Sequence, residues 1–379
     1  MKRILVIIGS FAIGGSRSSL YSLLSVLDAQ KVQVDVFARE RIGPLMEIMP
    51  NCRILPENIW LSHHIYEGSR LQKWLSMVLY FLRGSLQRLG LDLFKLYNSI
   101  GGKQIKSDAY DAVIGFDEMQ ARYISYLPAK KRIVWLHCDY RRFINGHDEA
   151  KYYERIDHVV CVSRFAKEAF LSVLPQFEPK VVIIRNAINV EDIVAKSKLV
   201  TPEVECYFPH DYEKTFTIIS IGRLDPVKQF EKIPAIVADV KRRLDGKLSF
   251  QWLIIGGGDA DVKRMIEKEI ETYHVNGEVH LLGAQTNPYP YLAKSDLNVC
   301  TSSNETFSYT IHEGLALQVP FLCNDFQGAS DSVHGGQEGY IMPLAEMPAI
   351  IAKLINSPMH IGACTISNDE LLSKLYNLV

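Results

Sequence analysis

Short apolar runs recur along the chain, and each of them ends in a polar or glycine-rich segment. Continuous apolar runs of about four to eight residues are typical of strands buried in parallel sheets. The segments between several runs repeat apolar residues at three- and four-residue spacing, which predicts amphipathic helices. The predicted strands of the first half lie at residues 3–8, 32–38, 110–116, 132–136, 158–162 and 180–184, with the end of a short one at 54–55. Those of the second half lie at 216–221, 249–256, 279–283, 297–300 and 320–324, the last strand that the pattern indicates.

Alternating strands and helices predict an α/β fold of doubly wound parallel sheets, and the length predicts two domains. A single core rarely grows beyond about 250–300 residues, whereas this chain has 379. Residues 190–213 lack strong periodicity and are interpreted as a crossing between domains. We expect an N-terminal Rossmann-like domain at 1–190, a C-terminal one at 191–360 facing it across a cleft, and a final helix at 361–379 that returns to the first domain.

Composition excludes several classes of protein. The net charge of −1 gives no global sign of a nucleic-acid partner. Seven cysteines are scattered without a CxxC pair, which indicates reduced thiols and supports neither a disulfide framework nor a zinc site. The N-terminal MKRILVIIG continues into a glycine loop, and we interpret it as a first strand. The uncharged run at 74–82 is too short to span a membrane.

One helical insert, at about 61–106, is both basic and rich in aromatic residues. Such a stretch is typical of helices that lie on an anionic membrane surface. The alternative is a pair of helices that pack in the core and expose a solvated basic face, and the sequence leaves both open. Between residues 70 and 106 one acid, Asp92, stands against seven basic residues: Arg70, Lys73, Arg83, Arg88, Lys95, Lys103 and Lys106.

Three loops at predicted strand ends carry candidate binding residues. The loop after the first strand contains Gly14 and Gly15 but does not match the dinucleotide fingerprint G-x-G-x-x-G. His137 directly follows the strand at 132–136, at the sheet edge where ligands of α/β proteins collect. Arg223 and Lys228 flank the loop after residue 221, where two cations could grip a diphosphate. Each feature also has a purely structural interpretation, a tight turn or a surface charge.

The segment at 304–320, NETFSYTIHEGLALQVP, combines two acids with a short helix. Thr306 and Ser308 are candidate N-caps, and Pro320 is expected to stop the helix. A helix N-terminus suits phosphate, and carboxylates on either side of it suit sugar or ribose hydroxyls. The alternative is a solvated face with a capping acid. A hydrolytic pair is disfavoured, because eight residues of helix rise about 12 Å, whereas glycosidase carboxyls lie about 5–9.5 Å apart.

Taken together, these segments resemble the retaining GT-B glycosyltransferases of family 4, especially those that build bacterial surface polysaccharides such as capsule, exopolysaccharide and O-antigen. Gly14-Gly15 with the following helix, VCVSRFAKEAF, RNAIN, GRLDPVK and IIGGGD resemble successive motifs of that family, and Glu305 and Glu313 resemble its E-x7-E pair. The resemblance spans nearly the whole chain.

The resemblance implies a role for each site residue. Arg223 and Lys228 would neutralise the donor diphosphate, Glu305 would bind the transferred sugar, and His137 would lie near the anomeric carbon; these four form the expected catalytic set. Ser16, Arg83, Arg88 and Lys95 are the expected acceptor or membrane contacts. The donor site would further comprise Gly15, Gly256, Gly257, Gly283, Phe307, Ser308, Tyr309, Thr310 and Glu313, with Glu313 on the ribose hydroxyls.

Three departures from the family pattern concern donor and acceptor contacts. Ser16-Arg17 replace the usual Ala-Glu, Thr306 stands where glycine is common, and Gly314 stands where alanine is usual. The expected function is metal-independent transfer of a hexosyl or N-acetylhexosaminyl group, without a cofactor, from a nucleotide-diphosphate sugar to a lipid-linked or growing polysaccharide. A UDP-sugar is the expected donor, and the expected location is the cytoplasmic face of the cell membrane. The alternatives are a nucleotide-sugar isomerase and a non-catalytic sugar-nucleotide-binding protein.

Overall fold

The structure is a computed structural model of the whole chain. It describes residues 1–379 except 13, 63, 64, 66, 68, 89–93, 145–148, 209–214, 246, 247, 333–336 and 363–365. For residues 83, 84, 87, 88, 94, 331 and 332 it describes the backbone alone. The chain divides into two compact units, Met1–Ala187 with Asn368–Val379, and Ile188–Ser367.

The first unit is built on a seven-stranded parallel sheet of order β3-β2-β1-β4-β5-β6-β7. Its strands are β1 (Lys2–Ser10), β2 (Val32–Glu40), β3 (Cys52–Ile54), β4 (Ala112–Gly115), β5 (Arg132–Leu136), β6 (His158–Cys161) and β7 (Val181–Ile183). Its helices before residue 188 are α1 (Gly15–Val26), α2 (Arg70–Arg88), α3 (Phe94–Gln104), α4 (Ala121–Ile124), α5 (Tyr140–Phe143), α6 (Ala150–Tyr153) and α7 (Arg164–Leu171). The central strands are buried because helices cover the sheet, as their near-continuous apolar sequences predict.

The second unit repeats this architecture with a six-stranded parallel sheet of order β10-β9-β8-β11-β12-β13. The strands are β8 (Phe216–Ile221), β9 (Phe250–Ile255), β10 (Val279–Gly283), β11 (Leu297–Cys300), β12 (Phe321–Asn324) and β13 (Gly339–Met342). The helices are α8 (Val190–Ser197), α9 (Pro202–Glu205), α10 (Ile233–Leu244), α11 (Ala260–Tyr273), α12 (Tyr289–Lys294), α13 (Tyr309–Ala316), α14 (Ala329–Ser332) and α15 (Met347–Asn356). Trp252 on β9 is fully buried in the main core of this unit.

A last helix, α16 (Asp369–Leu378), belongs to the first unit. Its Leu371 and Leu375 are buried. The hydroxyl of Tyr376 accepts a hydrogen bond from the backbone N–H of Asp28 at 3.0 Å. Lys2 at the start of β1 donates to the carbonyl of Val379 at 2.6 Å. Helix α16 is therefore fixed beside the start of β1, an inner strand of the first sheet.

Two expectations about the second half were wrong. The predicted strand at 320–324 is not the last, since β13 follows it and pairs with it in parallel; GYIM is too short an apolar run to stand out in a polar context. The expected lack of strong periodicity at 190–213 was the second error, because α8 and α9 fall within these residues. Their interpretation as a crossing between domains stays a prediction. Asn189 caps α8 by accepting from the N–H of Asp192 at 3.1 Å, so a local signal for this helix was present.

The basic insert forms α2 and α3, and α2 exposes much of its apolar surface. Leu71, Trp74 and Phe81 are 69%, 54% and 66% exposed. Leu75, Met77, Tyr80 and Leu82 are exposed as well. Among the residues that the structure describes, none of the helices combines the length and apolarity needed to cross a bilayer.

Candidate functional site

Three loops at the carboxyl edge of the second sheet are joined by backbone hydrogen bonds. The N–H of Gly222 donates to the carbonyl of Ile255, and the N–H of Gly256 donates to that of Gly283, both at 2.9 Å. Leu224 donates to Gly257 at 2.9 Å. A Cβ on Gly256 would lie 1.7 Å from the carbonyl oxygen of Gly222, so a side chain is excluded there. Of the predicted donor-site glycines, Gly256 thus allows the loops after β8 and β9 to approach each other closely.

Lys228 is held at this edge by the turn that follows β8. The carboxylate of Asp225 accepts from the N–H of Val227 at 2.9 Å and caps the 3₁₀ turn Pro226–Lys228. Thr301, just after β11, donates its hydroxyl to the carbonyl of Lys228 at 2.6 Å. The N–H of Ser303 donates to the carbonyl of Val227 at 2.8 Å. The loops after β8 and β11 are therefore fastened together around the lysine.

The ammonium group of Lys228 pairs with the predicted sugar-binding acid. Its Nζ lies 2.5 Å from Oε1 of Glu305, and the hydroxyl of Ser302 donates to the same oxygen at 2.8 Å. The two charged side chains are 23% and 16% exposed. Burial is the largest single effect and acts to lower the pKa of Lys228, but Glu305 and Cys300 together outweigh it, and the pKa is raised above its usual value. The lysine therefore stays charged.

Arg223 lies in the same electrostatic neighbourhood, although it is much more exposed. Its side chain is 73% exposed, and Nη2 lies 3.7 Å from Oδ2 of Asp225. Its positive charge acts to lower the pKa of Lys228, so the two cations are close enough to repel each other. The structure therefore brings Arg223, Lys228 and Glu305 together in one part of the second unit. The two cations there could neutralise the negative charge of a diphosphate.

Helix α13 follows these groups and starts one residue after Ser308. Ser308 is the N-cap residue as expected, but its hydroxyl makes no capping hydrogen bond and instead donates to the sulfur of Cys300 at 3.9 Å. Thr306 precedes the N-cap position, and the helix ends at Ala316, before Pro320. The ring of Phe307 stacks on His312, with centroids 4.3 Å apart. The predicted donor residues Phe307, Ser308, Tyr309 and Thr310 thus lie at one helix N-terminus.

Glu313, the predicted ribose contact, is one turn into α13. Tyr289 at the start of α12 donates its hydroxyl to Oε1 of Glu313 at 3.0 Å. Burial raises the pKa of Glu313 to about 7, while Tyr289 and then Lys196 act to lower it. Tyr289 is a site residue that the sequence pattern did not single out.

The structure explains why glycine stands at position 314. A Cβ at this position would lie 2.8 Å from Nδ2 of Asn298 on β11. That amide donates to the carbonyl of Thr310 at 2.7 Å. The usual alanine would therefore force Asn298 out of its contact with α13.

In the first unit, His137 lies at the carboxyl edge of the sheet as predicted. Its ring is 5.0 Å from that of Phe116, and burial, followed by the charge of Arg17, lowers its pKa to about 3. The backbone N–H of His137 donates to the carboxylate of Glu118, and so does that of Cys138, at 2.7 Å. Glu118 was not predicted, although polar residues directly after the strand at 110–116 were an available signal.

The glycine loop lies at the same edge of that sheet. A Cβ on Gly15 would meet nothing within 4 Å, so the space beside Gly15 is open. Ser16 accepts from Nη1 of Arg17 at 2.6 Å, and Nη2 of Arg17 lies 3.3 Å from Oδ2 of Asp117. Nε of Arg17 also donates to the carbonyl of Ser10 on β1 at 3.2 Å. Arg17, which reverses the charge of the usual family residue, is therefore fixed between β1 and the segment after β4.

The remaining predicted contacts lie on the helical insert. Arg83 and Arg88 are in α2, but their side chains fall outside the described residues. Lys95 is exposed on α3. Within the described part of the chain, no three His, Cys, Asp or Glu side chains are grouped in a way that could hold a metal ion.

Comparisons with known proteins agree in both halves of the chain. Residues 13–192 match the family described as Glycosyltransferase Family 4, and residues 209–361 match Glycosyl transferases group 1. An uncharacterized glycosyltransferase of Methanocaldococcus jannaschii is 25% identical over 175 residues, which are 46% of this chain and 41% of that protein. The N-acetylgalactosamine-N,N'-diacetylbacillosaminyl-diphospho-undecaprenol 4-alpha-N-acetylgalactosaminyltransferase of Campylobacter jejuni is 28% identical over 160 residues, 42% and 39% of the two chains. The matches thus span about two fifths of the length of these relatives.

The fold itself is shared with a solved structure along nearly its whole length. HepE of Anabaena in complex with UDP and glucose superposes with a TM-score of 0.67 at 16% identity, covering 94% of this chain and 90% of that one. Together with the two parallel-sheet units, this likeness confirms the expected GT-B fold.

Proposed function

We propose that this chain, which has the GT-B fold and carries two glycosyltransferase domains, transfers a sugar from a nucleotide-diphosphate donor to an acceptor hydroxyl with retention of configuration. A UDP-sugar is the proposed donor, and a hexosyl or N-acetylhexosaminyl group is what is transferred. The observation that carries the proposal is the pairing of Lys228 with Glu305 beside Arg223 and the start of α13. The arrangement supports the proposal because it brings positive charge and a carboxylate together at the carboxyl edge of the second sheet.

The cations explain how the leaving group would be stabilised. Breaking the bond between the anomeric carbon and the phosphate oxygen develops negative charge on the diphosphate. Lys228 is charged and partly buried, so its interaction with that charge is stronger than it would be in water. Arg223, more exposed, can form two parallel hydrogen bonds to phosphate oxygens. The first turn of α13 adds N–H groups and a positive dipole end near Tyr309 and Thr310.

The acids would bind the two rings of the donor. We assign the ribose hydroxyls to Glu313, whose carboxylate already accepts a hydrogen bond from the hydroxyl of Tyr289. The hydroxyls of the transferred sugar are assigned to Glu305, which accepts from Ser302 and Lys228. His137 in the first unit is assigned to the sugar close to its anomeric carbon. Its low pKa keeps the imidazole neutral at physiological pH, which suits a hydrogen bond to a hydroxyl.

The proposed transfer step needs no covalent enzyme intermediate. The acceptor hydroxyl attacks the anomeric carbon on the face from which the diphosphate departs. As the new glycosidic bond forms, the carbon–oxygen bond to phosphate breaks, and the departing phosphate oxygen takes the acceptor's proton. The charge that develops is balanced by Lys228 and Arg223, so we propose that the reaction is independent of metal ions and cofactors.

We propose a lipid-linked or growing polysaccharide as the acceptor, reached at the cytoplasmic face of the cell membrane. Helix α2 exposes Trp74, Tyr80 and Phe81, and aromatic side chains of this kind favour the boundary between lipid headgroups and acyl chains. Exposed Lys73 and Lys95 accompany them. The name of the Campylobacter relative specifies a diphospho-undecaprenol acceptor for that protein. A surface-polysaccharide role, in capsule, exopolysaccharide or O-antigen synthesis, follows from the same proposal.

A panel of nucleotide sugars tests the function directly. A ligand that binds only the folded state raises the melting temperature, so the donor should stand out in a thermal-shift assay. The donor that binds is then incubated with undecaprenyl-diphosphate-linked saccharides, and the product is analysed by mass spectrometry and NMR. Conversion of the donor without an acceptor would instead identify an isomerase. Binding without any turnover would identify a sugar-nucleotide-binding protein.

A further inference from the structure

Glu118 is a buried carboxylate at the carboxyl edge of the first sheet, with a residue exposure of 9%. It lies in the 3₁₀ turn Glu118–Gln120, which follows β4. Its Oε1 accepts from two successive backbone N–H groups, those of His137 and Cys138, directly after β5. A buried carboxylate is costly unless such donors surround it. The position therefore indicates that the chain uses this acid to hold the β5 exit turn.

The residues around Glu118 extend the same arrangement. Phe116, two residues earlier, packs its ring against the ring of His137. Asp117 pairs with Arg17 of the glycine-loop helix α1 and accepts from the amide of Gln120 at 2.9 Å. One short segment after β4 thus contacts both the glycine loop and the His137 turn. Neither of these two contacts is local in sequence.

We infer that Glu118 is a positioning residue, which fixes the His137 turn so that the imidazole is presented to the donor sugar. The inference rests on the proposed function, because it assumes that His137 contacts that sugar. Glu118 itself is directed at backbone N–H groups, so it acts through the turn and does not touch the reacting atoms. Its effect should appear in turnover and leave unchanged the affinity for the nucleotide, whose site we assign to the second unit.

Three variants separate positioning from general stability. Glu118→Asp shortens the side chain by one methylene and cannot reach both N–H groups, and Glu118→Ala removes the acceptor. Glu118→Gln keeps an acceptor oxygen at the same distance and is the conservative rescue. The control is Asp35→Asn. Asp35 is also a buried carboxylate of the first unit, but it pairs with Arg53 and Tyr110, away from the His137 turn.

The first measurement is steady-state kinetics with the donor identified by the binding panel. We expect Glu118→Asp and Glu118→Ala to lower kcat about 100-fold, the size of loss that a displacement of about 1 Å produces. The donor KM and the Kd for UDP should change by less than about twofold, within ordinary experimental variation. Glu118→Gln should recover most of the turnover, and Asp35→Asn should retain the wild-type kcat at any temperature where it is folded.

The second measurement follows the His137 imidazole by NMR as the pH is lowered, with a His137→Gln variant to assign its signal. The charges near this turn are Arg17, Asp117, Glu118 and Asp139. In the wild type the ring should stay neutral to about pH 3, whereas in Glu118→Asp a released ring should titrate nearer to 6.5. This result does not depend on activity.

The two measurements distinguish the possible failures. An unchanged His137 titration in folded Glu118→Asp, or an equal loss of kcat in Asp35→Asn, would overturn the positioning role. If the wild type transfers no sugar while the titration shifts as expected, the positioning of the turn stands and the proposed function is what fails.

Discussion

Lys228 and Glu305 are 77 positions apart in the chain, and yet Nζ of the lysine lies 2.5 Å from Oε1 of the glutamate. One residue follows β8 and the other follows β11, and these two strands are neighbours in the second sheet. The acid therefore orients the cation and at the same time neutralises part of its charge. A diphosphate that binds to Lys228 must share it with Glu305.

Replacing the acid should therefore separate binding from transfer. In Glu305→Gln the lysine loses its negative partner, and UDP should bind about fivefold more tightly, corresponding to about 1 kcal/mol of relieved repulsion between the carboxylate and the diphosphate. Turnover should fall, because a contact to the transferred sugar is weakened. Isothermal titration with UDP and steady-state kinetics measure the two effects. Weaker UDP binding in this variant would contradict the assignment of Lys228 to the diphosphate.

Removing the cation should affect turnover more than donor binding. Lys228→Ala should lower kcat by about 100-fold or more, equivalent to about 3 kcal/mol of lost transition-state stabilisation. The donor KM should rise less than kcat falls, because the charge on the leaving diphosphate is largest in the transition state. The nearby Lys232→Ala serves as the control for lysine removal in the same unit. A rise in KM with unchanged kcat would assign Lys228 to binding alone.

Glu313 should make both stability and nucleotide binding depend on pH. Its folded-state pKa is raised to about 7, from a usual value of 4.5, so the folded protein holds a proton that the unfolded chain releases between these values. Stability should thus fall as the pH rises from 5 to 7, by on the order of 3 kcal/mol for this group, and level off above it. Denaturant titrations of wild type and Glu313→Gln at pH 5 and 8 measure the difference. Identical pH profiles would contradict the raised pKa.

The same variant tests the ribose assignment. Because the ionised carboxylate is the better acceptor for ribose hydroxyls, the ratio of wild-type to Glu313→Gln affinity for UDP should increase between pH 6 and 8. Taking the ratio removes the titration of the UDP phosphate itself, which is common to both proteins. A ratio near one at every pH would remove Glu313 from the ribose site.

The contact between Asn298 and Gly314 should appear as coupling in a double-mutant cycle. Gly314→Ala should destabilise the protein by about 1–3 kcal/mol, because the new Cβ would press on the amide of Asn298. Asn298→Ala should cost about 1 kcal/mol through the lost hydrogen bond to Thr310. The double variant should lose less than the sum of the two, as measured by urea unfolding. Simple additivity would show that α13 relaxes without involving Asn298.

Vesicle binding tests the proposed role of α2. Trp74→Ser with Phe81→Ser should weaken binding to phosphatidylglycerol-containing vesicles by about tenfold or more, because apolar area is withdrawn from the interface. Met265→Ser is the matched control, an equally exposed apolar residue on α11 of the second unit. Sedimentation with liposomes provides the measurement.

A second set of variants isolates the electrostatic contribution. Replacing Arg83, Arg88 and Lys95 by alanine should reduce binding to anionic vesicles alone, by about 1 kcal/mol per charge near the surface. Neutral phosphatidylcholine vesicles should bind these variants and the wild type equally. If neither set of variants changes binding, the exposed face of α2 has another role.

The sequence predicts the sheets well because each buried strand is a local signal. The strands at 132–136, 216–221, 279–283 and 297–300 were predicted to the residue, since apolar runs ended there in glycine or polar residues. Strand β13 was missed because it is only four residues long and mostly half-buried, so that its pairing with β12 identifies it more clearly than its composition does.

The site was predictable only as far as individual loops allow. Arg223, Lys228 and Glu305 stood out because they lie in loops after predicted strands, and Glu313 because it lies within the short helix that follows. The partners of the site residues could not be predicted. The hydrogen bond from Tyr289 to Glu313 and the one from the backbone N–H of His137 to Glu118 form only when separate strands have aligned in register. Packing of this kind is set by the whole sheet and leaves no local pattern.

The placement of α16 in the first unit has a consequence for how this protein is made on the ribosome. Because Asn368–Val379 belongs to the same unit as Met1–Ala187, the first unit cannot reach its final form while the second is still being synthesised. Until then, the apolar surface that Leu371 and Leu375 later cover stays uncovered on the nascent polypeptide. Truncation after Ala187 should for that reason yield an aggregation-prone fragment. The second unit, in contrast, is one continuous segment, Ile188–Ser367, and we expect it to fold once that segment has been synthesised.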